Sequence, residues 1–321
     1  MSFKILTEIG VALGKHRVDS DYFLNQLTGE EKERKRHFFE EIAGRNIRYL
    51  ADETQTSLTL ATEAAMKAIA LNRVDINDID MVICVSHTPE YVSPTMARLV
   101  YDALGGKKES VNCFDMNVNC TGMLVALDMA DRYFRTDHEL QKMLIVQGDK
   151  NSMIKTKVEA DIWGLMSDIG CAVILERDET KGIINRYFAL NSEATFGVVY
   201  PKDGYSKPNP ILGTDTTVTI DVEEAVRKIE DKLGPQEMEE VKLMGISQFA
   251  HIVWQRFAYT QSSVTHDRIP YIGDVLGYTG ASSPLLALHE GVKTSLIKRG
   301  DKVILWTFGA GCQQVMLELV Y

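Results

Sequence analysis

The sequence predicts an α/β protein in which one unit of mostly parallel sheet, covered by helices on both faces, occurs twice. Two observations carry that prediction. Short β-branched apolar runs alternate with stretches of helical periodicity, the pattern of strands joined by crossover helices. The same βαβαββ order then recurs in the second half of the 321-residue chain, as shared pattern without shared identity.

Taken in order, Ala61, Ala64, Ala65, Ala68 and Ile69 fall at i, i+3, i+4, i+7 and i+8, which defines one face of a helix ending near Asn72. "IDMVICVS" (79–86) reads as a buried strand, and "TMARLVYDAL" (95–104) as a helix stopped by Gly105 and Gly106. The strand "SVNCFDMNV" and the helix "GMLVALDMADRYF" (122–134) follow, then the strands "KMLIVQGD" and "GCAVILE". The second half gives a helix (222–233), a strand (241–247) and a helix (249–259). "RIPYIGDV" reads as a strand, "SPLLALHEGVKTSLI" as a helix, and "DKVILWTFGAG" and "CQQVMLELVY" as the closing strands. Residues 185–217, rich in Gly, Pro, Asn and Thr, read as a loop that joins the halves and covers a site. The halves are therefore placed at 1–184 and 185–321. The charge run "GEEKERKRHFFEE" (29–41) reads as a solvated helix face.

Composition narrows the function classes. A formal charge of −10 supplies no basic footprint for nucleic acid or an anionic membrane surface. The N-terminal stretch lacks the apolar core of a signal peptide and no run reaches the roughly 18 apolar residues of a membrane span, so a cytoplasmic location is expected. Cys84, Cys113, Cys120, Cys171 and Cys312 are odd in number and without CxxC or Cys/His spacing, so neither disulfides nor a metal site is expected.

One of the five sits differently. In "NVNCTGM" (117–123) Cys120 falls between a strand and a helix start, where the macrodipole and free backbone N–H groups favour a thiolate. Packing as a small hydrophobe is the competing reading, and it wins for Cys84, Cys113 and Cys171 inside strands and for Cys312 at the start of the last one.

"CFDMNVNCTGMLVAL" resembles the nucleophile segment of ketoacyl-acyl-carrier-protein synthase III in the thiolase superfamily. "GRNIRYLADETQTSLTLATEAA", "MVICVSHTPEYVSPTMA", "GLMSDIGCAVILE", "DVLGYTGASSPLLAL" and "LWTFGAGCQQVMLELV" resemble further family segments in the same order. The resemblance implies a thiolase-like duplicated αβαβα layered fold with two mixed five-stranded sheets. It implies Cys120 as nucleophile, the N–H groups of Cys120 and Ala310 as oxyanion hole, and Phe38, Arg48, Ser93 and Phe249 along the substrate path. No bound cofactor is implied, only acyl-CoA as donor. A dimer paired through "VNCFDMNV" is implied as well, as a homodimer or with a homologous chain.

The resemblance also breaks. Where the family carries a histidine, "GISQFAH" has Gln248, with His251 at the asparagine of the same segment; where it carries its catalytic asparagine, "LGYTG" has Tyr278. Gln248 and Tyr278 can still donate hydrogen bonds, but neither offers imidazole chemistry near neutral pH. Three residues on from Gln248, His251 is a candidate base for an incoming alcohol or amine, or else a packed pocket histidine. His87 and His289 read as structural. Val253 replaces the arginine of the family's carrier-docking patch and only Arg256 remains nearby, which leaves docking of an acyl carrier protein open. Ser93 replaces a bulky aromatic before the active-site proline, which implies a roomier acyl pocket.

Three functions are consistent with these residues. The first is an acyltransferase that loads Cys120 from acyl-CoA or an acyl carrier and passes the acyl group to an acceptor, in fatty-acid-like or specialised biosynthesis. The second is a catalytically silent partner of an active homologue, and the third a decarboxylating ketoacyl synthase with a rearranged site.

Overall fold

Thr56 and Thr59 open the helix Ser57–Asn72 with a reciprocal capping box, which satisfies two backbone N–H groups that have no partner within the helix. Its inner stripe, Leu60, Ala61, Ala64, Ala65 and Ala68, is fully buried. Alanines here and glycines on the sheet let the backbones nearly touch. A Cβ on Gly170 would overlap the Leu60 carbonyl, and one on Gly148 the Ser57 carbonyl.

The structure, a computed structural model, describes residues 2–158, 162–179, 182–208, 210–215, 222–260 and 265–321. The first sheet runs in the order Ser2–Ile5, Ile169–Asp178, Lys142–Asp149, Met81–Val85 and Asn112–Met116; Gly10–Leu13 also pairs with Ile169–Asp178. Met81–Val85 is parallel to both neighbours and the remaining pairings are antiparallel. In the second sheet, ordered Val241–Ile246, Lys302–Gly309, Gln313–Val320 and Gly182–Leu190, the first pair is parallel and the others antiparallel. Over four strands the two sheets share one topology, as the repeated pattern predicts, but antiparallel pairings outnumber parallel ones in both, so the sheets are mixed and not the mostly parallel ones expected from the alternation of strands and helices.

Helices fill the layers between and outside the sheets. Gly122–Thr136 lies in the middle, where Met123, Leu124, Leu127 and Ala130 join one core with Val173 of the first sheet and Val315 and Leu317 of the second. Leu285 and Leu288 of Ser283–Lys293 share that core. Ser57–Asn72 and Met96–Ala103 cover the outer face of the first sheet. Ile229, Ala250, Val253 and Ala258 cover that of the second, around the buried Trp306. This is the duplicated αβαβα layering that the sequence implies.

Several details differ from expectation. The two sheets are not both five-stranded. In the first, Ser2–Ile5 and Gly10–Leu13 follow one another along the same neighbour, so six segments fill five positions. The second has four strands among the described residues. Its expected fifth, "RIPYIGDV", is instead a 3-10 turn at His266–Arg268 and a short helix at Gly273–Leu276. Pro270 has no N–H for a ladder, and the adjacent peptide groups bond to the Gln248 side chain. Gly182–Leu190, expected partly as loop, pairs along the whole of Gln313–Val320; a register shift lets Ile183 pack into the central core and Tyr187 onto the outer one, so both faces are held. By sheet membership the halves part between Asp178 and Gly182, so the expected break at 184/185 falls inside a strand. Residues 209, 216 and 217 of the expected loop lie outside the described residues. The charge run forms the helix Gly29–His37 and a π turn Phe38–Ile42, mostly exposed, with Lys35 buried over the Phe38 ring. Among the described residues no helix is long and apolar enough to cross a membrane.

Candidate active site

Asn119 adopts a left-handed conformation (φ 50°), which asparagine tolerates better than most residues, and its N–H is held by the Asn117 side chain at 3.1 Å. The chain therefore turns sharply into the 3-10 turn Asn119–Thr121, which carries Cys120 and runs into the central helix Gly122–Thr136. Thr307 Oγ1 donates to the Cys120 carbonyl at 3.2 Å from the neighbouring strand. Gly309 lies so close that a Cβ there would sit 3.3 Å from the Cys120 nitrogen, which brings Ala310 of the next turn alongside.

The position at a helix start does not give a low thiol pKa here. Burial dominates and pushes the Cys120 thiol up to about 11, the Tyr278 hydroxyl facing the sulfur acts in the opposite direction, and the Asp149 charge adds to the rise. The residue keeps some surface, but the sulfur lies deep in the fold. Tyr278 is 2% exposed, and burial drives its phenol pKa well above the ordinary value. Its hydroxyl lies near both Cys120 and Ser247 without a well-aligned hydrogen bond to either. Its ring meets Phe249 edge-on at 5.4 Å, and Phe249 in turn meets Phe308 at 5.7 Å. Cys120, Tyr278, Phe249 and the Gly309–Ala310 backbone are thus brought together.

The other expected site residues lie elsewhere. Gln248 is 1% exposed and its amide is fully engaged by backbone: Nε2 donates to Ile246 O at 3.0 Å and Pro270 O at 3.3 Å, and Oε1 accepts from Ile272 N at 3.0 Å. It stands in for the peptide pairing of the missing fifth strand, so it has no donor left for a substrate oxygen. His251 stacks on Trp254 at 5.3 Å and meets Tyr271 at 4.8 Å, and burial and the Arg45 charge hold its pKa down. It belongs to an aromatic cluster, on a helix that starts at His251, as the packed alternative describes. Arg48 is fully buried over the Phe39 ring (4.5 Å) and donates to Gly164 O at 2.6 Å; Phe38 packs on the same cluster. Burial and the neighbouring Arg45 charge lower the Arg48 pKa to about 9. Ser93 is exposed on the loop before Met96–Ala103, at the edge of the first sheet. None of these five supplies a group to the thiol in this arrangement.

Other residues near the site went unsingled in the sequence. Arg45 is buried and donates to Tyr271 Oη at 2.7 Å and to the carbonyls of Gln248 and Phe249, fixing the segment that follows Ser247. His87, which reads as structural, has both ring nitrogens on acceptors, Asp149 Oδ2 at 3.3 Å and Asn151 Oδ1 at 2.7 Å. Burial alone would lower its pKa, but the Asp149 charge and these bonds outweigh it and raise the value. Gln147 links Asp149 Oδ2 (2.7 Å) to the carbonyl of Thr279 (3.1 Å), next to Tyr278. No local pattern could have revealed this chain, because its members are far apart in sequence. No group of three or more metal-ligating side chains occurs among the described residues.

The fold and the placement of Cys120 define a thiolase-like protein. Family profiles for 3-oxoacyl-[acyl-carrier-protein (ACP)] synthase III match residues 114–193, and those for its C-terminal part match 235–317. A relative from Histophilus somni, beta-ketoacyl-[acyl-carrier-protein] synthase III, is 26% identical over 277 residues, 84% of this chain and 85% of its own. The 3-oxoacyl-[acyl-carrier-protein] synthase III of Aquifex aeolicus VF5 superposes with a TM-score of 0.83 at 22% identity, covering 99% of this chain and 100% of that one. Xanthomonas campestris OleA, solved with bound lauric acid and lauroyl-CoA, gives 0.80 at 18% identity over 100% and 99%. The chain belongs to the synthase III-like proteins of the thiolase superfamily, a group of transferases.

Proposed function

We propose that the protein forms an acyl-thioester on Cys120, taken from acyl-CoA or an acyl carrier, and passes the acyl group to an acceptor in fatty-acid-like or specialised biosynthesis. The observation that carries this reading is a thiol at the entrance of the central helix with the Gly309–Ala310 backbone beside it. There the N–H groups of Cys120 and Ala310 are the donors for the oxyanion that forms when sulfur attacks the thioester carbonyl. Lauroyl-CoA in the Xanthomonas campestris relative supports an acyl-CoA donor. Tyr278 stabilises charge as a hydrogen-bond donor; its high pKa rules it out as a base. Decarboxylative condensation is the weakest of the three readings, since the Gln248 amide is engaged by backbone and Tyr278 brings a bulky phenol to Cys120.

One observation favours the silent-partner reading: the thiol is held protonated near neutral pH with no imidazole bonded to it. Incubation with a panel of acyl-CoA donors followed by intact-mass measurement separates the two. The acyltransferase reading expects an acyl adduct that Cys120→Ala abolishes. No adduct from any donor, together with co-purification of a second synthase III-like chain, would establish the silent partner instead.

A further inference from the structure

Gln248 occupies the family histidine's place in the sequence, but its neighbour Ser247 occupies the more telling place in space. The Ser247 N–H donates to Trp306 O at 2.9 Å, one step beyond the pairing of Ile246 with Trp306, so Ser247 lies beside Thr307. Thr307 is the residue whose hydroxyl touches the Cys120 carbonyl. One strand spacing, about 4.8 Å, thus separates Ser247 from a residue in contact with the nucleophile's own peptide.

Ser247 has no exposed surface and its Oγ has no hydrogen bond; Tyr278 Oη is in the same condition and lies near it. A buried hydroxyl left without a partner is destabilising, and two of them adjoining a buried thiol call for a reason. A negative charge on the sulfur supplies one. The phenol can turn its O–H to the thiolate and leave its own oxygen to accept from Ser247, each bond strengthening the other.

We infer that Ser247 is a positioning residue that hydrogen-bonds Tyr278 and, through that phenol, stabilises the thiolate of Cys120. Cys120, Tyr278 and Ser247 then act as one unit where relatives use other side chains. The inference rests on Cys120 as nucleophile, but testing it needs no acyl donor.

The test is the rate of alkylation of Cys120 by iodoacetamide between pH 7 and 10, read by intact mass and peptide mapping on the full chain. In that reaction the thiolate displaces iodide and the thiol proton goes to buffer. Relative to wild type, Tyr278→Phe should slow the reaction roughly 10- to 100-fold, and Ser247→Ala roughly three- to tenfold, throughout the range below the thiol pKa. The double variant should be no slower than Tyr278→Phe alone, and Ser247→Thr should restore the wild-type profile. A profile unmoved by Ser247→Ala would overturn the inference, as would a Ser247→Ala effect that persists in full in the Tyr278→Phe background. Should Ser247→Ala fail to fold, Ser247→Cys keeps the volume, weakens the donor and answers the same question. Absence of an acyl adduct in the loading experiment would count against acyl transfer and leave this profile intact, so the two readings fail separately.

Discussion

Asp149 Oδ1 accepts from the Ser86 and Thr88 hydroxyls and from the His87 N–H, and Oδ2 accepts from the Gln147 amide and faces the His87 ring. Burial opposes this carboxylate's charge, but the imidazolium and these bonds prevail and hold its pKa far below the usual range. The signs follow from linkage. The His87 pKa is raised, so its contribution to stability is full below the ordinary value of about 6.5 and is lost as pH rises through the native value. Asp149 is depressed, so its contribution is present above about 4 and is lost as pH falls through its native value. The pair therefore stabilises most between about pH 4 and 6.5. His87→Gln should destabilise the protein by roughly 3–5 kcal/mol at pH 5.5, because it leaves Asp149 buried without its cation, and by less at pH 8.5. Urea unfolding at the two pH values measures the gap, and an equal gap would contradict an imidazolium at this site.

Close approach of helix to sheet organises the elements. A Cβ at Gly170 meets the Leu60 carbonyl and backbone that cannot swing aside, whereas one at Gly105 meets nothing within 4 Å and suffers only its positive φ of 80°. Gly170→Ala should cost roughly 1–3 kcal/mol or more as the Ser57–Asn72 helix is pushed off the sheet; Gly105→Ala should cost about 1–2 kcal/mol from backbone strain alone. Denaturant midpoints of the two variants provide the comparison, and no loss at Gly170→Ala would show that packing there relaxes freely. The helix was legible because its small residues recur at helical spacing. The segment "RIPYIGDV" was misread because its apolar alternation matches a strand, while a side chain 22 residues away captures its backbone.

On the scale of the whole molecule, Asn112–Met116 is an edge strand, bonded on one side to Met81–Val85. The Asn112 N–H and the Met116 carbonyl bond toward that neighbour, so by alternation the N–H groups of Cys113 and Asp115 face outward. An open edge of this kind is a template for pairing with a second chain. Light scattering should give a dimer of 36.0 kDa chains. Cys113→Pro, which removes one outward donor and no bond within the sheet, should shift it toward monomer. An unchanged dimer would place the interface elsewhere.

The sequence by itself determined the layered α/β architecture, its duplication and the position of Cys120, because these follow from periodicity and from turn residues that act within a few positions. Its resemblance to the synthase III segments also drew attention to Gln248 and Tyr278, thirty residues apart. Only the tertiary structure decided what those side chains face. Gln248 turns to backbone at Ile246, Pro270 and Ile272, Tyr278 turns to the thiol and to Ser247, and Arg45 reaches carbonyls 203 and 204 residues away. The acidity of Cys120 was decided in the same way. A helix start favours the thiolate through charges in the first turn, but burial among segments drawn from the whole chain removes the water that would solvate it, and that larger effect is invisible until the chain has folded.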